Sequence, residues 1–267
     1  MPPSRPFITG EARRGLYRGQ TDVGHDADLG HAIFPIVTQE EDGLFKLIGT
    51  GFFIAAQGIF VTAAHVVAHV LNSKGEATGP FGLFQFLPEN HYYIRPIHRA
   101  TRHENADIAV GVAVQMHHKQ TGQPMPNKVL TLGLNPPPMN SQVCTYAYPH
   151  TTIEPGKPQT IRFEPRFFDG KLLEHFPSGR DRVLLPGACY RTSMVIHGGA
   201  SGGPVVGPNG TVFAVNSTSF ENDTISYVTC MSQILDLAIP EVALPGDAKP
   251  RVVTVRELQD KGFVSAR

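Results

Sequence analysis

The sequence predicts an all-β protein built as two sheet units. Three observations carry that reading. Short apolar runs rich in β-branched and aromatic residues recur from His31 to Met231, clusters of turn residues separate them, and a proline-rich break, LNPPPMN, falls at 134–140. Runs of this length and composition suit strands, and many short strands with little helical periodicity suit sandwiches or barrels.

The elements follow in order. Residues 1–28 are polar, with scattered Gly, Pro and Arg, and read as an arm. AIFPIVTQ, FKLIGTGFFIAA and GIFVTAAHVV then read as consecutive antiparallel strands, with EEDG and QG as their turns. FGLFQFLP, YYIRPIHRA and DIAVGVAV continue the pattern. MHHKQTGQPMPNK and the proline cluster connect the halves. Strand texture resumes in QVCTYAYP, TIRFEPRFF, CYRTSMVI, SGGPVV, TVFAVNSTS and ISYVTCM. SQILDLAI is expected as a short closing helix. TVRE, 254–257, has capping-box spacing before a further helical turn that Gly262 ends.

Bulk properties narrow the function. The chain has 267 residues, 41% hydrophobic, enough for a substantial core. Formal net charge is zero, so neither nucleic acid nor an anionic membrane surface is an implied partner. No run approaches the ~18 apolar residues of a membrane span, and no apolar leader is evident at the start. The three cysteines, Cys144, Cys189 and Cys230, are odd in number and widely spaced. They read as buried thiols in a reducing compartment, the cytoplasm by default, with a Cys189–Cys230 bridge left open.

HGGASGGPVV, 197–206, carries the chemistry, with Ser201 among four nearby glycines. A serine hydroxyl needs a base, a group that orients the base, and donors for the developing oxyanion. GASGG also fits the G-x-S-x-G elbow of α/β-hydrolases, but there the catalytic histidine follows the serine, and all twelve histidines here precede Ser201. His65 ends an apolar run behind the small residues Thr62, Ala63 and Ala64. Asp107, the only aspartate between His65 and Asp169, opens DIAVGV. The glycines let the amides of Gly199 and Ser201 converge beside the hydroxyl. His65 and His69 stand four apart, but HVVAH lacks the glutamate of H-E-x-x-H, so neither a metal nor any other cofactor is expected.

The order His65, Asp107, Ser201, with GTGFFI (49–54), TAAH (62–65), DIAV (107–110) and GASGGP (199–204), resembles the trypsin-like serine proteases. That resemblance implies two antiparallel six-stranded barrels with the site between them and a short C-terminal helix. The expected layout is an arm at 1–28, a first barrel at 29–125 carrying His65 and Asp107, a second at 126–246 carrying Ser201, and a tail at 247–267. It implies His65 as general base, Asp107 as its orienting partner, Ser201 as nucleophile, and Gly199 with Ser201 as oxyanion donors. It places Val195 at the base of the P1 pocket, which suits small or apolar residues, and Asn216, Ser217 and Thr218 along the substrate backbone. Secreted members usually carry Asp before the serine, where Ala200 stands here, and Val66 replaces a cysteine that often follows the histidine. Both features lean toward the intracellular, HtrA/Deg-like branch, here without a PDZ module. The expected partner is a protein or peptide substrate. The alternative is a silent or partner-activated module with a regulatory protein partner.

Overall fold

The computed structural model describes residues 29–267 apart from 42, 87–91, 150, 155–159, 220–224 and 245. The arm read at 1–28 lies outside the described residues. A short helix α1 (Leu29–Ala32) leads into six strands: β1 (Ile33–Gln39), β2 (Phe45–Phe53), β3 (Ile59–Thr62), β4 (Phe81–Phe86), β5 (Tyr92–Arg102) and β6 (Ala109–Ala113). One helical turn, α2 (Ala64–Ala68), follows β3. All neighbours are antiparallel, and the order β1-β2-β3-β6-β5-β4 closes on itself.

The first barrel is filled by rings from adjacent strands. Phe34 lies 4.5 Å from Phe53 and 5.6 Å from Phe60, ring centre to ring centre. Gly51 makes room for them, since a Cβ there would meet Phe34 Cε2 at 2.7 Å. Arg95 is buried in the same barrel. Its guanidinium donates to Gln85 Oε1 and Asn127 Oδ1, both at 2.6 Å, and to the Val114 carbonyl. Burial lowers its pKa to about 10, so it stays charged at neutral pH while held by neutral oxygens and the Phe53 ring, whose centre lies 5.0 Å away.

The second barrel comprises β7 (Gln142–Ala147), β10 (Arg166–Phe176), β11 (Cys189–Thr192), β12 (Pro204–Val206), β13 (Val212–Ser219) and β14 (Ser226–Cys230), closed in the order β10-β11-β14-β13-β12-β7. The paired strands β8 (Thr152–Glu154) and β9 (Thr160–Arg162) stand between β7 and β10. The all-β, double-barrel expectation is met, down to six strands in each closed sheet.

Several elements differ from their expected form. TIRFEPRFF splits at Glu164-Pro165 into β9 and β10, because proline cannot donate to a ladder. SQILDLAI forms only a 3₁₀ turn, Met231–Ile234, and then strand β15 (Ala238–Val242), since Pro240 would break a longer helix. β15 pairs with β16 (Arg251–Thr254), which runs into α3 (Val255–Asp260). The Thr254 hydroxyl accepts from the Glu257 amide at 3.1 Å, and Gly262 follows with φ +75°, as the capping spacing predicts. Residues 247–267, read as a tail, instead contribute Val253, Val255, Leu258 and Val264 to the core that also holds the first barrel's rings. They tie to the inter-barrel connection, with Leu132 N–H donating to Ser265 and Arg267 N–H to Leu132.

The cysteines are unpaired and buried. Cys189 lies opposite Thr229 in the β11–β14 ladder, so Cys230, one residue on, points to the other face. A bridge between them is ruled out by that alternation. Burial pushes the thiols up, to about 11 for Cys189 and about 12 for Cys230.

Candidate active site

β3 and β6 pair antiparallel with Thr62 opposite Ala109. The end of one strand therefore lies beside the start of the other. β3 stops at Thr62 and the chain turns into α2, whose Val66 and Val67 are buried. The helix is thereby pinned with His65 outward, its side chain half exposed. Asp107 precedes β6 between the buried Ala106 and Ile108, and its own side chain is 10% exposed.

The two side chains meet closely. His65 Nδ1 lies 2.8 Å from Asp107 Oδ2 and 3.0 Å from Oδ1, and the His65 backbone N–H donates to Oδ1 at 2.9 Å. Ser217 stands near the carboxylate, its hydroxyl hydrogen-bonded with Thr229 Oγ1 at 2.6 Å. Burial alone would raise the Asp107 pKa. The hydrogen bonds and charge of His65, with Ser217, outweigh it and hold the carboxyl below the ordinary aspartate value.

Ser201 sits in a turn between Ile196 and β12. Ala200 N–H donates to the His197 carbonyl at 3.1 Å, and Gly203 N–H to Ala200 at 3.0 Å. Gly199 and Gly202 adopt φ +87° and +85°, values that disfavour side chains. The Ser201 hydroxyl donates to the Ser217 carbonyl at 3.3 Å and not to His65. Ser217 thus accepts from Ser201 with its carbonyl, while its hydroxyl pairs with Thr229 Oγ1. The amides of Gly199 and Ser201 donate to no other described residue.

The remaining sequence-predicted residues fare differently. Asn216 is buried, and its amide group donates to Thr145 Oγ1 and the Ala200 carbonyl. Its backbone N–H and carbonyl serve Gly203 and Gly202. It braces the serine turn from inside the barrel instead of lining the cleft. Thr218 is half-buried on β13. Val195 is 45% exposed, while its neighbours Met194 and Ile196 turn into the second barrel's core. His197 is exposed, its ring edge toward Phe168 at 5.9 Å. No group of three His, Cys, Asp or Glu side chains able to hold a metal occurs among the described residues.

Two contributors were not legible beforehand. Ser217 was expected only against the substrate backbone, and its carbonyl's bond from the Ser201 hydroxyl left no sequence signal. Thr50 belongs to the GTGFF run, yet its buried hydroxyl donates across the barrel seam to the Gly199 carbonyl at 2.8 Å.

Comparison with known proteins agrees with this architecture. No curated protein matches the chain. Among solved structures, Deg5 is similar with a TM-score of 0.56 at 15% identity, over 77% of this chain and 86% of Deg5. The active form of the Rv3671c protease from M. tuberculosis is similar with a TM-score of 0.56 at 14% identity, over 88% of this chain and 85% of that one. At such identities the likeness is one of fold. A family model described as the trypsin-like peptidase domain matches residues 49–215, which run from the Gly beside Thr50, through His65, Asp107 and Ser201, to Val215 on β13. With more than half its length matched, the chain belongs to the trypsin-like peptidase family.

Proposed function

We propose that the chain is a serine endopeptidase acting through His65, Asp107 and Ser201. The carrying observation is the doubly held His65–Asp107 pair, with the Ser201 hydroxyl bonded to the carbonyl of Ser217, a residue that also lowers the Asp107 pKa. In this reading Asp107 keeps the Nδ1 proton of His65 in place, leaving Nε2 free as base. The Ser201 hydroxyl turns from Ser217 to His65, gives up its proton, and Oγ attacks the substrate carbonyl carbon. The oxyanion is met by the Gly199 and Ser201 amides. His65 passes the proton to the leaving amine as the C–N bond breaks. Water then adds to the acyl-enzyme with His65 again as base, releasing the acid and restoring Ser201.

The substrate is a protein or peptide chain, with a small or apolar P1 residue. Val195 supports this, since it offers no charge for Lys or Arg. Ala200 is buried among Val143, Ala147 and Val205, so the position before the serine offers no carboxylate for a freed N-terminal ammonium. Maturation by such an ion pair is therefore not expected. The buried free thiols support a reducing compartment, the cytoplasm. No helix among the described residues is long and apolar enough to cross a membrane.

A second reading is a partner-activated form, supported by the Ser201 hydroxyl resting on Ser217. One experiment separates the two. A peptidyl diphenyl phosphonate with valine at P1 should label wild type but not Ser201→Ala. Labelling that appears only when cell extract is added supports partner activation. No labelling of folded protein in either condition refutes the peptidase reading, and preferential cleavage after Arg or Lys in a peptide library refutes the apolar pocket.

A further inference from the structure

We infer that Thr50 is a positioning residue that holds the oxyanion loop of this chain in its working orientation. The inference rests on the peptidase reading of Ser201 and concerns a residue of the opposite barrel. It begins with the shortness of β3. The β2–β3 register pairs Phe52 with Val61 and Phe53 with Phe60. Continued, it would place Thr50 opposite Ala63, but the chain has already turned toward α2. The ladder groups of Thr50 are therefore left for other partners. Its N–H donates to the Ser201 carbonyl at 2.8 Å, and its carbonyl accepts from Thr62 Oγ1 at 2.7 Å.

The side chain completes the hold. The Thr50 hydroxyl donates to the Gly199 carbonyl at 2.8 Å and receives the Tyr148 N–H at 3.3 Å. Both lone pair and proton are thereby used, and Thr50 is fully buried, so water does not compete. Gly199 is crowded by the Tyr148 carbonyl, Leu47 and Pro149, each within 3.3 Å of a notional Cβ, but these contacts are not hydrogen bonds. Its amide bonds to no described residue. The Gly198 beside it faces open space, with nothing within 4 Å of a notional Cβ. A peptide between two glycines turns readily, and a turn there would swing the Gly199 N–H away from the Ser201 N–H. Thr50 holds the following peptide, Gly199–Ala200, by its carbonyl, and so anchors one side of the Gly199 Cα, the pivot of that turn. Thr50 touches neither the hydroxyl of Ser201 nor any substrate position. It acts through Gly199 and the Ser201 carbonyl.

The test compares Thr50→Val, which keeps the branched shape and loses the hydroxyl, with Thr50→Ser, which keeps the hydroxyl. The first readout is inactivation by the P1-valine phosphonate. Loss of one oxyanion donor typically costs ~10²–10³ in rate, and a loosened donor less, so Thr50→Val should lower the maximal inactivation rate about 10-fold with the half-saturating concentration within about threefold. Thr50→Ser should stay within about threefold of wild type on both. A purely structural role would lower the unfolding temperature of Thr50→Val while its folded molecules react at the wild-type rate, and that result overturns the inference. The second readout needs no activity. Crystal structures should find the Gly199 amide turned away from Ser201 in Thr50→Val and unmoved in Thr50→Ser. An unmoved Gly199 in Thr50→Val overturns the inference, whether or not the wild type reacts. A wild type that reacts with no phosphonate sinks the peptidase reading separately. Should Thr50→Val not fold, Thr50→Ala is read in the same way.

Discussion

Asp107 carries the clearest residue-level consequence. Its carboxyl is held below the ordinary aspartate value by His65 and Ser217 against the effect of burial. A depressed acid contributes stability that is complete above its unfolded pKa, about 3.9, and lost as pH falls through the lower folded value. Removing the carboxylate, as in Asp107→Asn, should therefore flatten the acid limb of thermal stability below about pH 4, measured by calorimetry across pH. The same variant should lower phosphonate inactivation on the order of 10³–10⁴-fold, since an asparagine amide no longer fixes the His65 proton on Nδ1. Unchanged inactivation would remove Asp107 from the proposed mechanism. His65, Asp107 and Ser201 were named from their local frames, and the structure joins His65 and Asp107 directly. Asn216 was read as a cleft residue because its strand resembled a pocket wall. A strand pattern carries no information on which of two neighbours faces the barrel interior when a bulge intervenes, and one lies between Asn216 and Thr218.

At the scale of elements, α3 and β5 make opposite cases. α3 is short, six residues, and its start was legible because a cap is a local hydrogen bond, Glu257 N–H to Thr254. Thr254→Ala should cost about 1 kcal/mol and lower the midpoint of thermal unfolding by about 2–4 °C, read by circular dichroism. Strand β5 contains Arg95 in a run that otherwise reads as an ordinary strand. Nothing nearby in sequence announces that its guanidinium is buried, because Gln85, Val114 and Asn127 come from separate parts of the first half. Arg95→Met would leave Gln85 Oε1 and the Val114 carbonyl without that donor inside the barrel, Asn127 Oδ1 keeping the Gln85 amide. A loss of roughly 3 kcal/mol or more is expected by urea unfolding, whereas Arg95→Met at wild-type stability would mean that the network stabilises nothing. The closing helix expected at SQILDLAI failed for a related reason. Its apolar spacing fits a helix turn or a strand equally well, and Pro240 with the β16 partner decided the matter.

Across the whole molecule, the barrels are joined by bonds and by a returning chain end. Thr50 reaches Gly199 across 149 residues of sequence, and the Tyr148 hydroxyl reaches the Ile33 carbonyl across 115. The end of the chain packs Val253, Val255, Leu258 and Val264 into the shared core. At ~1.5–3 kcal/mol for each such side chain, their loss rivals the ~5–15 kcal/mol total stability of a typical domain. Deleting 247–267 should therefore abolish a cooperative thermal transition and yield aggregated protein; a soluble, cooperatively folding truncation would show that the segment is dispensable. The sequence by itself determined the β class, the candidate residues His65, Asp107 and Ser201 in their order, and the capped helix, because each rests on composition or on neighbours a few positions apart. Only the tertiary structure decided that Ser217 receives the Ser201 hydroxyl, that Asn216 turns inward, that the chain end enters the core, and that the loop around Ser201 hangs from Thr50. Those outcomes depend on hydrogen bonds and burial between distant segments, and such partners exist only once both barrels have closed.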